Sequence, residues 1–153
     1  MEWFLDGNSG HGWCPSGQGA GEAYRSQGGR VRVKECLMVF LGGGAGSVCR
    51  YWLSTILRPL AHQGFPLGTF VANLLGCFCI GIFYGLSARL NWSAETRLFL
   101  TTGFCGGFTT FSTFSYEGLA LLRQGQWGMY ALYVLLSVAL GLGCAWLGNV
   151  VVK

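Results

Sequence analysis

The sequence predicts an all-α membrane protein of four transmembrane helices, with the third helix broken. Composition gives the first reason: 52% of residues are hydrophobic, only 10% are charged, and mean hydropathy is +0.45. Blocking gives the second. The apolar residues fall into long runs at about 36–57, 67–88, 98–122 and 128–152, each long enough to cross a bilayer, and not at amphipathic spacing. Short connections between them make neighbouring helices antiparallel. The third reason lies inside the third run, where Gly106-Gly107 and the β-branched pair Thr109-Thr110 put the poorest helix formers in mid-span. A soluble catalytic domain has no room here, so no enzyme is expected. No nucleic-acid partner is expected either.

Residues 1–35 differ from the rest. Residues 7–29 are rich in Gly, Ser and Gln and lack apolar periodicity, which predicts a disordered extension. It has neither the basic start nor the apolar core of a signal peptide. The alternative is a translation start nearer Val31 or Met38, since residues 36–153 read as a complete four-helix membrane domain. Basic residues mark the helix ends: Arg25, Arg30, Arg32, Lys34, Arg89, Arg97 and Lys153 on one side, Arg58 and Arg123 on the other. That asymmetry puts the N-terminus in the cytoplasm, but most of it comes from the tail. Without residues 1–34 the two sides are almost balanced.

The first span carries Gly42 and Gly46, four apart, which lets another helix approach closely. Arg50 follows within the same span. An arginine at a helix centre costs about 2.5–3.5 kcal/mol on insertion scales, so it either snorkels to the interface or forms an anion-attracting vestibule. Pro66 suits the start of the second span, where Asn73 is a rare strongly polar group. Its amide either bonds between helices or donates to an ion in a pore. Gly81 and Gly85 are a weak packing signal.

In the third span Ser93 or Thr96 is the expected cap. Phe104, Phe108, Phe111 and Phe114 would share one face of an unbroken helix, with Thr109, Thr110, Ser112, Thr113 and Ser115 filling the gaps. Backbone freed by a break at Gly106-Gly107 survives in a membrane only when protein buries it, or when it lines a cavity or binds an ion. The bland alternative is a packing kink with an aromatic stripe. Glu117, the only acid within a span, lies one turn past Thr113. The fourth span offers Tyr133 and Ser137 on one face, continued by Gly141, while Trp127 and Tyr130 look like interface anchors. Seven cysteines include no C-x-x-C and no nearby histidine, so they are expected to act as small hydrophobes and not as zinc ligands.

The runs G-G-G-A-G-S-V-C-R-Y (42–51), P-L-G-T-F-V-A-N-L-L-G (66–76) and G-F-C-G-G-F-T-T-F-S-T-F-S (103–115) strongly resemble the CrcB/Fluc family of bacterial fluoride channels. The resemblance covers roughly residues 36–152 in order. It implies a multi-pass protein of the cell (inner) membrane, an antiparallel dual-topology homodimer with two narrow pores that passes fluoride ion passively out of the cytoplasm. It further implies that Phe111 and Phe114 form an aromatic box with contributions from both subunits, and that Asn73 guards pore entry. Ser112, Thr113, Tyr133 and Ser137 would line a polar track, and backbone carbonyls of Gly106 and Thr109 would hold a structural sodium ion (Na+) at the dimer axis. Gly141 stands where some relatives carry another hydroxyl.

Two rivals stay open at this point. A small proton-coupled multidrug exporter of four-helix antiparallel-dimer type needs a membrane-embedded carboxylate, and Glu117 is the sole candidate, near a helix end. A structural membrane subunit would not require the hydroxyl–Phe pattern.

Overall fold

A computed structural model describes residues 33–60 and 64–153. The extension expected over residues 1–35 therefore lies outside the described residues as far as residue 32, as do positions 61–63 of the loop before Pro66. Among the described residues all regular structure is helical. Helix α1 spans Val33–Leu57 and ends in a single 3₁₀ turn, Arg58–Leu60. Helix α2 spans Leu67–Leu90 and stops at Asn91, whose φ of 47° is the left-handed conformation that asparagine tolerates. Helix α3, Ala94–Leu98, runs into a π-helical stretch, Phe99–Cys105, and on into α4, Gly106–Phe108. Helix α5 is Phe111–Arg123 and α6 is Trp127–Val151. Of the two expected caps Ser93 is the one used: its Oγ accepts from the Thr96 amide at 3.2 Å.

Helices α1, α2 and α6 are each long and apolar enough to cross a membrane. Their surface pattern is the inverse of a soluble helix. The only buried residues of α1 are Gly42 and Gly46, while Phe40 is 76% exposed. Large apolar groups on the outside and glycine on the inside is how helices pack in lipid, where close backbone approach replaces the hydrophobic drive. This chain is a multi-pass membrane protein.

Helix α1 packs chiefly on the π-helical stretch and α4, and α2 chiefly on α6. A Cβ at Gly42 would fall on the Phe99 carbonyl oxygen, and one at Gly46 on the Phe104 carbonyl oxygen. The weak signal at Gly81 is a real contact as well: a Cβ there would strike the Ala145 carbonyl oxygen across the α2–α6 seam. Gly44, by contrast, has nothing within 4 Å of a Cβ. Gly46→Ala is therefore expected to lower stability by about 1–3 kcal/mol through overpacking, whereas Gly44→Ala should be neutral or slightly stabilising. Thermal unfolding of the two variants in one detergent checks the contrast, and equal melting temperatures would refute it.

The interruption of the third apolar run is displaced from the position that glycine content suggests. Gly106 and Gly107 are helical. Helical hydrogen bonding stops after Thr109, whose ψ is 158°, and Thr110 is extended at φ −150° and ψ 115° before α5 begins. Gly107 serves a different purpose, since a Cβ there would strike the Gly43 carbonyl oxygen of α1. Two β-branched residues, which accept extended backbone readily, occupy the interruption itself.

Candidate functional site

Thr109 and Thr110 are held by α2. Asn73 grips the backbone of Thr110 at both ends: the Thr110 N–H donates to Asn73 Oδ1 at 2.8 Å, and Asn73 Nδ2 donates to the Thr110 carbonyl at 3.3 Å. One turn along the same face, Gly76 leaves space for the Thr109 methyl group, which a Cβ would strike. Asn73 thus pairs with an extended residue as a neighbouring strand would, satisfying backbone that the helix interruption frees.

Thr110 is also the N-cap of α5. Its Oγ1 accepts from the Thr113 amide at 3.3 Å and donates to Thr113 Oγ1 at 3.0 Å, and Ser112 Oγ lies 3.3 Å from it. The carbonyl-rich end of α4 therefore faces the amide-rich end of α5 across two residues. Helix C-termini favour cations and helix N-termini favour anions, so one interruption offers a place to each sign of charge.

Two cavities adjoin it. The first, about 400 Å³, is lined by six of the residues that the sequence singles out, namely Asn73, Gly106, Thr109, Phe111, Phe114 and Ser137, together with apolar groups such as Ile80 and Val138. The second, about 230 Å³, is lined by Arg50 and Thr113 with Ser47, Tyr51, Ser54 and Thr69. Thr110 lines both. Buried polar atoms point to what the cavities lack within this chain. Among the described residues Ser137 Oγ and Arg50 Nε are buried with no hydrogen-bond partner. A serine in a helix commonly bonds back to the preceding turn, so a buried free hydroxyl on a cavity wall marks a donor held for something else.

The aromatic stripe becomes two pairs. Phe104 and Phe108 stack at 5.9 Å on one side of the interruption, and Phe111 and Phe114 lie 5.8 Å apart on the other. Phe108 is buried, whereas Phe111 is 79% exposed. Phe114 rests on the Tyr133 ring, centroids 4.9 Å apart.

Tyr133 does not line the first cavity. It is fully buried, and its hydroxyl donates to Glu117 Oε2 at 3.0 Å, while Thr69 Oγ1 donates to Glu117 Oε1 at 2.8 Å. The single acid of the third apolar run is thus clamped by two hydroxyls instead of standing free. Sequence reasoning overlooked Thr69 and Thr110 as site residues. The signal for Thr69 was its spacing, four residues before Asn73 and so on the same face of α2.

Fold and site together define a small polytopic membrane protein whose polar groups gather at an interruption in one membrane-embedded helical run. Comparison with known proteins narrows this class. Residues 37–149 match the family model described as "CrcB-like protein, Camphor Resistance (CrcB)", and the chain belongs to that family. It is 49% identical over 110 residues to the fluoride-specific ion channel FluC of Phocaeicola vulgatus, covering 72% of this chain and 91% of the relative. It is 48% identical over 122 residues to that of Chlorobaculum tepidum, covering 79% and 96%, and 43% identical over 122 residues to that of Azobacteroides pseudotrichonymphae, covering 79% and 98%.

Proposed function

We propose that this chain is a fluoride-selective channel, not an enzyme, which lets fluoride leave the cytoplasm down its electrochemical gradient across the cell inner membrane. The observation that carries the reading is the first cavity, where Asn73, the rings of Phe111 and Phe114 and the partnerless Ser137 hydroxyl meet beside a helix N-terminus. Family membership and the fluoride-channel names of the relatives support it.

The chemistry follows from desolvation. Moving even a carboxylate-sized ion out of water costs on the order of tens of kcal/mol by Born reasoning, so a permeating anion needs replacement donors along its whole route. Fluoride is a strong hydrogen-bond acceptor, which suits the hydroxyls of Ser112, Thr113 and Ser137. Phenyl rings are positive at the edge, so Phe111 and Phe114 can complete the shell without a formal charge. Neutral donors bind weakly enough for release, as conduction demands, while Arg50 beside the second cavity raises the local anion concentration from a distance. Hydrogen fluoride enters cells uncharged and ionises there; a channel lets the inside-negative potential expel the trapped anion.

In this reading residues 36–153 form the channel domain, whose four spans include one broken within the membrane. Two copies assemble as an antiparallel, dual-topology homodimer in the lipid bilayer, and the partner completes the walls of the first cavity. Gly106 and Thr109 offer hard backbone carbonyls at a helix C-terminus, the ligand type that sodium prefers. Gly106 is exposed on the cavity face, with nothing within 4 Å of a Cβ, so an ion has access to it. The sodium, when bound, would supply fixed positive charge that ties the interrupted segments together.

A proton-coupled exporter is disfavoured by the position of Glu117, whose two oxygens are both engaged by hydroxyls and which does not line the first cavity. Purified protein in liposomes should release fluoride, and not chloride, down a gradient with no proton gradient imposed. Strict dependence on a proton gradient would overturn the channel reading.

A further inference from the structure

We infer that Asn73 and Thr110 are positioning residues that create the cation site, because they divert the two amides that would otherwise occupy its carbonyl ligands. In a continuous helix the Gly106 carbonyl accepts from the Thr110 N–H and the Thr109 carbonyl from the Thr113 N–H. Neither bond forms here. The Thr110 N–H donates to Asn73 Oδ1 at 2.8 Å, and the Thr113 N–H donates to Thr110 Oγ1 at 3.3 Å. The preceding carbonyl, that of Cys105, keeps its helical partner and accepts from the Thr109 N–H at 2.9 Å. Of the carbonyls that the interruption frees, the two that the sodium reading, on which this inference rests, uses as ligands are those whose helical donors are taken by these two side chains.

The devices differ in kind. Asn73 acts across helices, from α2, and its Nδ2 also fixes the Thr110 carbonyl, so the extended conformation is held at both ends. Thr110 acts locally as an N-cap, a role that serine fills equally well and valine cannot fill. A backbone carbonyl left without its donor in a membrane is costly, and a monovalent cation is the group that relieves two of them at once. The sodium affinity of this chain is then set by an asparagine and a threonine that need not touch the ion.

Removing either device lets the chain relax toward continuous helix, which turns one carbonyl back to its amide and away from the cation. The experiment is a titration of sodium chloride against N-methylglucamine chloride at constant ionic strength, with thermal unfolding of the purified full chain as the readout. Wild type should gain melting temperature saturably with sodium. Thr110→Val and Asn73→Ala should each move the sodium midpoint upward by about tenfold or more, equivalent to ~1.4 kcal/mol, while Thr110→Ser stays within about twofold. Should Asn73→Ala fail to fold, Thr110→Val tests the Thr109 carbonyl with the Asn73 grip intact. A wild type that titrates alongside variants with unchanged midpoints overturns this inference and leaves the sodium reading standing. A wild type that ignores sodium overturns both.

Discussion

Phe111→Ile and Phe114→Ile are expected to lower fluoride efflux per assembled channel by orders of magnitude. Isoleucine keeps comparable hydrophobic volume but has no ring and hence no positive edge to turn toward an anion. If the edge contributes only about 3 kcal/mol to the permeation barrier, its loss slows passage by roughly a hundredfold, since each ~1.4 kcal/mol is a factor of ten. The two positions separate transport from packing. Phe111 is 79% exposed and its ring contact is with Phe114, so its replacement removes little packing from this chain. Phe114 also rests on Tyr133, so isoleucine there should lose additional stability, on the order of 1 kcal/mol. Efflux from liposomes, normalised to protein that elutes at the assembled position on size exclusion, is the measurement. Near-normal flux in both variants would reduce the aromatic pair to packing.

How far the sequence could be read depends on which physical effect controls each feature. Apolar block lengths fix the spans because a bilayer has one thickness, and α1, α2 and α6 fall where the runs at 36–57, 67–88 and 128–152 put them. Gly42 and Gly46 were legible as approach points because nothing but glycine tolerates a backbone at that distance. The interruption was misplaced because propensity is a local quantity. Gly106-Gly107 has the lower helix propensity, yet α1 packs on Gly107 and the turn stays helical. A residue distant in sequence determines the break: Asn73 captures the amide of Thr110, thirty-seven positions away. For the same reason Asn73 was legible as a polar group needing partners, while the choice between interhelical bonding and ion donation was not. Its Oδ1 and one Nδ2 hydrogen go to Thr110, which answers for the first role and leaves one amide hydrogen for the second. The Thr69–Glu117–Tyr133 clamp depends on three elements meeting, and no spacing within one of them announces it.

A population of this chain inserted in one orientation only is expected to give no fluoride flux above protein-free liposomes, and mixing the two orientations should restore it. Outside residues 1–34, Arg89, Arg97 and Lys153 oppose Arg58 and Arg123 across the membrane, a bias too slight to enforce one topology. Removing residues 1–34 should therefore yield C-termini on both sides, and two or three added lysines in one set of loops should commit the chain to one side. The reason for the loss of flux lies in the first cavity. One chain leaves Phe111 79% and Val138 57% exposed on its walls, and Ser137 Oγ buried without a partner. A parallel neighbour would present its own interruption at the same depth and with the same polarity, helix N-terminus beside helix N-terminus. An antiparallel neighbour would instead bring opposite helix ends together across a two-fold axis. Two differently locked variants, each silent alone, should regain flux when expressed together. Substantial flux from either one by itself would sink the antiparallel assembly.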